Sequence, residues 1–358
     1  MNDDLFDPRV YATRRVADTR PALAFPGGSD LSLKGARVWQ RRLRARVRAL
    51  VGLPSGAAAN VPLNARVEKT KTLDGYRRET VTFASRPGLR VFGYFLVPDA
   101  DRTGRRPTVL CLPGHGRGVD DIVGIAEDGT QRALRAPEGY SADFALQCVA
   151  HGYPTLAIEQ ISFGYRRDEA ARNAGPGASS CTRDSMAALM LGETMTGWRV
   201  WDALRALDYL ETREEADPKR LAVMGISGGG LTALFAAALD TRVRAAVVSG
   251  YLNTFADSIL AVDHCPDNYV PGLLNVAEMP DVAGLIAPRA LFCESGDRDP
   301  IFPRPAFDHA VTQVRAIYEA FGASDHFDAE VFAGDHRFHG AGAFRFLSTR
   351  LRERPGHK

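Results

Sequence analysis

The sequence predicts an α/β protein with a mostly parallel central sheet, helices on both faces and an N-terminal helical arm. From about residue 107 onwards, short apolar segments alternate with longer amphipathic ones, the order that places parallel strands between two layers of helices. The segment 107–112 is almost entirely apolar, as in a strand that is buried on both faces. A second apolar run ends at Met224 and leads through a glycine-rich turn into a helix-like segment.

Periodicity and turn residues place the individual elements. Apolar residues at three- and four-residue steps predict a helix over Leu31–Val51, after an irregular segment over residues 1–30. The pair Asp74-Gly75 predicts a β-hairpin. The predicted strands are Ala65–Thr72, Tyr76–Ser85, Leu89–Val97, Pro107–Leu112, Tyr153–Ile158, Arg220–Met224, Val243–Ser249, Arg289–Glu294 and Asp328–Phe332. The later predicted helices are Asp143–His151, Ser185–Thr212, Gly229–Leu239, Pro305–Phe321 and Ala341–Arg352.

Two regions are predicted, an arm and helix over residues 1–60 and a larger domain over residues 61–358. A formal net charge of +2 gives no reason to expect a nucleic acid or a membrane surface as partner. The first residues carry acids and no apolar core, so we expect no secretory signal, and no stretch approaches the ~18 apolar residues of a membrane span. The five cysteines are scattered and odd in number. We therefore expect a reduced, cytoplasmic protein.

The glycine-rich turn has the pattern Gly-x-Ser-x-Gly over residues 225–229. A strand that turns sharply into a helix needs small residues on both sides of the turn. Gly225 and Gly229 supply them and leave the hydroxyl of Ser227 exposed at the tip. The pattern alone arises easily by chance, but the strand before it and the helix after it make it specific. We predict that Ser227 is a catalytic nucleophile.

A serine nucleophile needs a base to take its proton, and the base needs an acid to orient it. Both are expected after later strands, at the same edge of the sheet. The spacing Gly-x-x-Asp-x-x-x-Pro over residues 296–303 favours Asp299 as the acid, with Asp297 as the alternative. The next strand ends shortly before His336, which we predict to be the base, with His339 as the alternative.

The negative charge that develops on a carbonyl oxygen needs fixed backbone donors. One predicted donor is the amide of Gly228, which follows the nucleophile, and the other is the amide of His115 in the loop after an early strand, with Gly116 as the alternative. The sequence has no His-Glu-x-x-His motif and no clustered Cys and His ligands, so we expect no metal and no cofactor.

These motifs resemble those of the α/β-hydrolase superfamily, with the closest match in the branch that contains acetyl xylan esterases and dienelactone hydrolases. The resemblance covers roughly residues 60–350. The residues that carry it are Leu112–Gly116, Gly225–Gly229, Gly296–Asp299, Gly334–His336, and the helix Val200–Leu210 that leads through Asp217–Arg220 into the nucleophile strand. Pro113 stands where many relatives have a histidine, which is a departure in the oxyanion loop. The nucleophile is a serine and not the cysteine of dienelactone hydrolases, which favours an esterase.

The resemblance implies a serine carboxylic ester hydrolase that works through an acyl-enzyme on short-acyl esters, chiefly acetyl esters, of a sugar or another polar alcohol. Its expected partner is therefore a small-molecule ester. The loop after the strand ending at Ser249 carries aromatic and amide groups suited to such a substrate, or else packs only against the protein. The candidates in this loop are Tyr251, His264, Asn268 and Tyr269.

Other activities on the same scaffold stay open. One alternative is a peptidase of the prolyl oligopeptidase type, although these usually carry a propeller of several hundred residues where this sequence has about a hundred before the first core strand. Another is a C–C hydrolase or a lyase, because the motifs report the machinery and not the bond. A non-catalytic binding protein is disfavoured, because no member of the triad is missing.

Overall fold

A nine-stranded sheet forms the centre of the computed structural model, which describes residues 6–28, 31–99 and 104–352. In chain order the strands are β1 (Arg66–Leu73), β2 (Tyr76–Arg86), β3 (Leu89–Pro98), β4 (Arg106–Leu112), β5 (Thr155–Ile158), β6 (Ala216–Ile226), β7 (Val243–Ser249), β8 (Ala290–Gly296) and β9 (Phe327–Phe332). Their order in the sheet is β1-β2-β3-β5-β4-β6-β7-β8-β9. Strands β1 to β3 pair antiparallel, and β4 to β9 pair parallel.

Helices cover both faces of this sheet. They are α1 (Pro8–Asp18), α2 (Leu33–Leu50), α3 (Val119–Ile122), α4 (Phe144–Ala150), α5 (Glu169–Ala174), α6 (Cys181–Met190), α7 (Met195–Glu211), α8 (Gly228–Leu239), α9 (Met279–Gly284), α10 (Arg304–Ala320) and α11 (Ala341–Arg350). Successive side chains of a strand point to opposite faces, so Leu110 and Leu112 enter one core and Val109 and Cys111 the other. The predicted α/β architecture is thereby confirmed. No helix within the described ranges is long and apolar enough to cross a bilayer.

Two predicted elements differ from the structure. The segment over residues 1–30 is not irregular throughout, because α1 forms at Pro8–Asp18, where the Asp7 side chain accepts a hydrogen bond from the amide of Arg9 and Pro8 begins the first turn. The single helix predicted over Ser185–Thr212 is two helices, α6 and α7. The break lies at Gly192, whose φ of +74° leaves the helical region, and Thr194 then caps α7.

The predicted boundary near residue 60 lies between the arm and the sheet along the sequence, but helix α2 of the arm packs against the rest of the molecule. Helix α2 buries Ala36, Leu43 and Val47 in the same core as α8 and α9. The indole of Trp39 donates to the carbonyl of Leu23 at 2.8 Å, which attaches the preceding chain to α2. Two separate domains stay a prediction, but α2 shares its core with the rest of the molecule.

The buried carboxyl group of Glu159 organises the loop that follows β5. Glu159 comes directly after the last strand residue, and its carboxylate accepts the amides of Val119 at 3.2 Å and Tyr165 at 3.3 Å. Val119 is the first residue of α3, so one carboxyl group joins two long loops at the carboxyl edge of the sheet. Burial raises the pKa of Glu159 to about 8, although these amides lower it in part.

We predict that Glu159 makes the protein less stable at alkaline pH. Its pKa is raised in the folded state, so its contribution to stability is complete below about pH 4.5 and is lost as the pH rises through about 8. Glu159→Gln keeps a neutral side chain, and the free energy of unfolding should then fall less steeply between pH 5 and pH 8, by up to roughly 1.4 kcal/mol per pH unit. Urea denaturation across this range measures the difference. Glu127→Gln, which alters an exposed carboxylate, should leave the wild-type slope unchanged.

Candidate active site

The nucleophile candidate lies in a turn of a single residue. Strand β6 ends at Ile226, α8 begins at Gly228, and Ser227 between them has φ +55° and ψ −122°, a strained conformation for a residue with a side chain. A Cβ atom on Gly229 would collide with the carbonyl oxygen of Leu112, and one on Gly225 would collide with the carbonyl oxygen of Gly229. The glycines of the motif are therefore required by backbone contact, and the turn presents the Ser227 side chain at the edge of the sheet.

The base and acid candidates are hydrogen bonded to each other. Nδ1 of His336 donates to Oδ2 of Asp299 at 2.7 Å. The other oxygen of this carboxylate accepts the amides of Ile301 at 2.9 Å and Phe302 at 3.0 Å, which fixes its orientation. Because Nδ1 carries the shared proton, Nε2 keeps its lone pair, and this buried atom has no hydrogen-bond partner among the described residues. The ring is thus arranged to accept a proton at Nε2.

The alternative acid and base occupy other positions. Oδ1 of Asp297 accepts the amide of Gly334 at 2.8 Å, which makes Asp297 a loop-anchoring residue. The ring of His339 stacks on Phe332 with 4.6 Å between centroids, and its Nε2 lies 3.6 Å from Glu330. Neither side chain lies on the cavity described below, so the geometry favours Asp299 and His336.

A buried glutamate missing from the sequence-based candidates holds the loop that carries the base. The carboxylate of Glu294, at the end of β8, accepts the amides of His339 and Gly340 at 2.9 Å each and the hydroxyl of Ser249 at 2.8 Å. Burial raises the pKa of this carboxyl group. A glutamate inside an otherwise apolar strand was the available signal, because a buried carboxyl group needs several donors.

The two oxyanion candidates lie side by side. The ring of His115 packs against Gly228, whose Cβ position would be 3.4 Å from Nδ1 of the imidazole. The amide of Gly228 belongs to the first turn of α8, where amides have no acceptor within the helix and form the positive end of its dipole. Two side chains hold the loop after β4, which carries His115. The Tyr140 hydroxyl donates to the carbonyl of His115 at 2.7 Å, and the side-chain amide of Gln160 donates to the carbonyl of Pro113.

Ser227 and His336, the candidate nucleophile and base, both line a cavity of about 400 Å³. It is lined by His115, Tyr140, Ser227, Val262, Asp263, His264, Cys265, Ile301 and His336. Of the four predicted substrate contacts, His264 lines this cavity and is kept neutral by burial, which lowers its pKa.

The other three predicted substrate contacts, Tyr251, Asn268 and Tyr269, are not among the described residues that line the cavity. Tyr251 is buried beside Phe302, and the Tyr269 hydroxyl donates to the carbonyl of Ile259. The side-chain amide of Asn268 donates to Asp267. These three side chains therefore contact other parts of the protein and not the cavity.

Beneath the cavity, residues that are far apart in sequence form a cluster. The potential ligand atoms of His115, Cys181, Cys265 and Asp267 all lie within 4.8 Å of one another. The expectation that the chain has no clustered Cys and His side chains is therefore wrong, because it counted neighbours along the sequence and not across the fold. Burial lowers the pKa of the His115 imidazole, but Asp267 and Cys181 outweigh burial and raise it to about 9.

The known family and the relative that this chain resembles are described as hydrolases. Residues 9–340 match the profile described as the Abhydrolase family. Over 241 residues, 65% of this chain and 73% of the relative, the sequence is 30% identical to YtaP of Bacillus subtilis (strain 168), which is assigned as a hydrolase.

Three solved structures are similar to the whole chain. A protein from Bacteroides fragilis NCTC 9343 that is assigned as an acetyl xylan esterase has a TM-score of 0.82 at 20% identity, over 97% of this chain and 95% of that one. A glucuronoyl esterase from Solibacter usitatus has a TM-score of 0.68 at 17% identity, over 93% and 99%. An acetyl xylan esterase from Paenibacillus sp. R4 has a TM-score of 0.57 at 20% identity, over 94% and 99%. The likeness confirms the α/β-hydrolase fold.

Proposed function

Because the chain belongs to the Abhydrolase family, we propose that it is a serine carboxylic ester hydrolase with the triad Ser227, His336 and Asp299. One observation carries the proposal: an imidazole that is hydrogen bonded at Nδ1 to a buried carboxylate lines the same cavity as a serine in a strained strand-to-helix turn. That is the set of groups that acyl transfer through a serine requires.

In the acylation step, Oγ of Ser227 attacks the ester carbonyl while Nε2 of His336 accepts the serine proton. The negative charge on the former carbonyl oxygen is held by the amides of Gly228 and His115. Collapse of the intermediate breaks the ester C–O bond, and His336 returns the proton to the departing alcohol. Asp299 stays ionised throughout and stabilises the imidazolium.

In the deacylation step, a water molecule takes the place of the alcohol. His336 removes its proton as the oxygen attacks the acyl-serine, and the carboxylic acid leaves when the proton passes to Oγ. The strain in Ser227 supports both steps, because the conformation that holds the hydroxyl in the cavity is set before substrate arrives.

The size and lining of the cavity support a substrate class. About 400 Å³ has to accommodate both the acyl and the alcohol side of an ester. Val262 and Ile301 offer a small apolar wall for an acyl group, and Asp263 and neutral His264 offer polar groups for the hydroxyls of an alcohol. We therefore propose short-acyl esters, acetyl esters above all, of a sugar or another polar alcohol.

Ser227→Ala should abolish ester hydrolysis and leave the protein folded, because alanine removes only the attacking oxygen. A serine-directed phosphonate should label Ser227 in the wild-type protein and no residue in the variant. Mass spectrometry of the labelled peptide and the turnover of p-nitrophenyl acetate measure the two effects. A variant with full activity, or labelling at another residue, would exclude this mechanism.

Asp299→Asn should lower kcat by roughly 10⁴-fold, because an amide neither stabilises the imidazolium nor enforces the tautomer with a free Nε2. Asp297→Asn is the matched control. It alters a carboxylate two residues away that binds the amide of Gly334, so it should cost less than about tenfold. Steady-state kinetics on one acetyl ester compares them. The opposite ranking would make Asp297 the triad acid.

Activity should fall as the acyl chain grows beyond about four carbons. Each further methylene can gain ~0.8 kcal/mol only where an apolar surface receives it, and a cavity of this size cannot extend to a long chain. Measurement of kcat/KM across p-nitrophenyl esters from acetyl to decanoyl tests this. Values of kcat/KM that rise toward eight or more carbons would contradict this prediction. A preference for a methyl uronate ester or a proline-containing peptide over all acetyl esters would contradict the proposed substrate class.

A further inference from the structure

The cluster beneath the cavity is drawn from three parts of the chain. His115 lies in the loop after β4, Cys181 begins α6, and Cys265 and Asp267 lie in the long loop after β7. The Cys181 and Asp267 side chains are fully enclosed, whereas Cys265 also borders the catalytic cavity. The proposed ester chemistry uses none of these four side chains, since His115 is assigned to it only through its backbone amide.

The separations between the atoms are those of ligands around a tetrahedral ion. Nε2 of His115 lies 3.3 Å from Oδ2 of Asp267, and Sγ of Cys181 lies 3.6 Å from the same oxygen. Zinc bonds of ~2.0–2.1 Å to nitrogen or oxygen and ~2.3 Å to sulfur give tetrahedral edges of roughly 3.3 Å and 3.5 Å. These two edges therefore match those of a tetrahedral zinc ion, and the remaining separations within the cluster are at most 4.8 Å.

The polar atoms of the cluster are oriented toward this common point. Nε2 of His115 is buried, faces Oδ2 of Asp267 at 3.3 Å and makes no well-aligned hydrogen bond within the described part of the chain. Oδ1 of Asp267 accepts the side-chain amide of Asn268 at 2.6 Å, which turns Oδ2 toward His115 and Cys181. A carboxylate ligand that is oriented by a second hydrogen bond, next to an imidazole with a free nitrogen, is the usual construction of a metal centre.

A buried arginine completes the charge balance. The Arg199 guanidinium is fully enclosed, pairs with Oδ2 of Asp267 and donates to Sγ of Cys181 at 3.0 Å. Two thiolates and one carboxylate carry three negative charges, which a divalent cation and Arg199 neutralise together. Neutrality lowers the cost of holding these charges where the side chains of Cys181 and Asp267 are enclosed.

We propose that His115, Cys181, Cys265 and Asp267 form a structural zinc site. Thiolate and imidazole ligands select zinc over magnesium and calcium, and four protein ligands fill the tetrahedron and leave no position for a reacting water. Zn²⁺ binds the two cysteines as thiolates and His115 as a neutral imidazole, so the protons that these groups carry pass to solvent as four coordinate bonds form, without oxidation or reduction. The ion ties the oxyanion loop to α6 and to the loop after β7.

A disulfide between Cys181 and Cys265 is the competing use of the two thiols. A disulfide would use only the two sulfur atoms, since it needs neither an imidazole nor a carboxylate beside it. The convergence of all four side chains therefore favours a metal over an oxidised pair.

The test is the metal content of the full chain, purified without chelator and dialysed. The wild-type protein should hold about one zinc per chain, and Cys265→Ala and Cys181→Ala should each hold less than a tenth of that. Cys148→Ala is the matched control, because it removes a buried cysteine that is not part of the cluster and should retain the metal. Cobalt in place of zinc should give thiolate-to-metal charge-transfer bands and the visible bands of a tetrahedral ion, and Cys265→Ala should lose both.

Thiol counting in denaturant with chelator separates the outcomes. The zinc site leaves all five cysteines reactive. Wild-type protein without zinc after supplementation would overturn the proposal, whether it shows five thiols or the three that a disulfide would leave. The same metal analysis on Ser227→Ala should again give one zinc per chain, so the result does not depend on whether the protein is an esterase.

Discussion

The active site depends on the close contact of three backbone segments at the end of β6. The chain reverses from strand to helix through Ser227 alone, and this is possible only because Gly225 and Gly229 let the strand, the helix and the carbonyl of Leu112 touch. Every residue of α8 is buried, and its first residue, Gly228, lies beside the ring of His115. The positions of the Ser227 side chain and of the Gly228 amide are thus fixed by the same contact.

Buried carboxylates hold the loops that complete the site. Glu159 and Asp299 follow the ends of β5 and β8, and Glu294 lies near the end of β8. Each of these carboxyl groups accepts two backbone amides of a loop. A loop at the edge of a sheet has backbone donors that no strand satisfies, and an enclosed carboxylate supplies strong acceptors for them. For Glu159 this arrangement carries a cost in stability at high pH, because burial favours the protonated form.

Arg199 connects helix α7 to the loops that follow β5 and β7. Its guanidinium projects from α7, donates to the carbonyl of Ile161, lies over the ring of Phe163 and pairs with Asp267. The loop after β5 and the loop after β7 therefore meet on one buried cation. A metal in the cluster beside it would add a third connection, to the oxyanion loop, and would make the geometry around Ser227 depend on an ion that takes no part in acyl transfer.

The strands, the elbow at Ser227 and a histidine beside an aspartate could be predicted from the sequence by itself, because these depend on local periodicity and on the fixed order of strands in a parallel sheet. It left Asp299 and Asp297 as alternatives, and the tertiary structure favours Asp299 since that carboxylate alone of the two is turned toward His336. The roles of Glu294 and Tyr140, the two helices on either side of Gly192 and the Cys–His–Asp cluster were decided by the tertiary structure. Each depends on contacts between segments that lie far apart in the chain or on a local break in the backbone, and a linear pattern of residue types does not record which side chains meet in space.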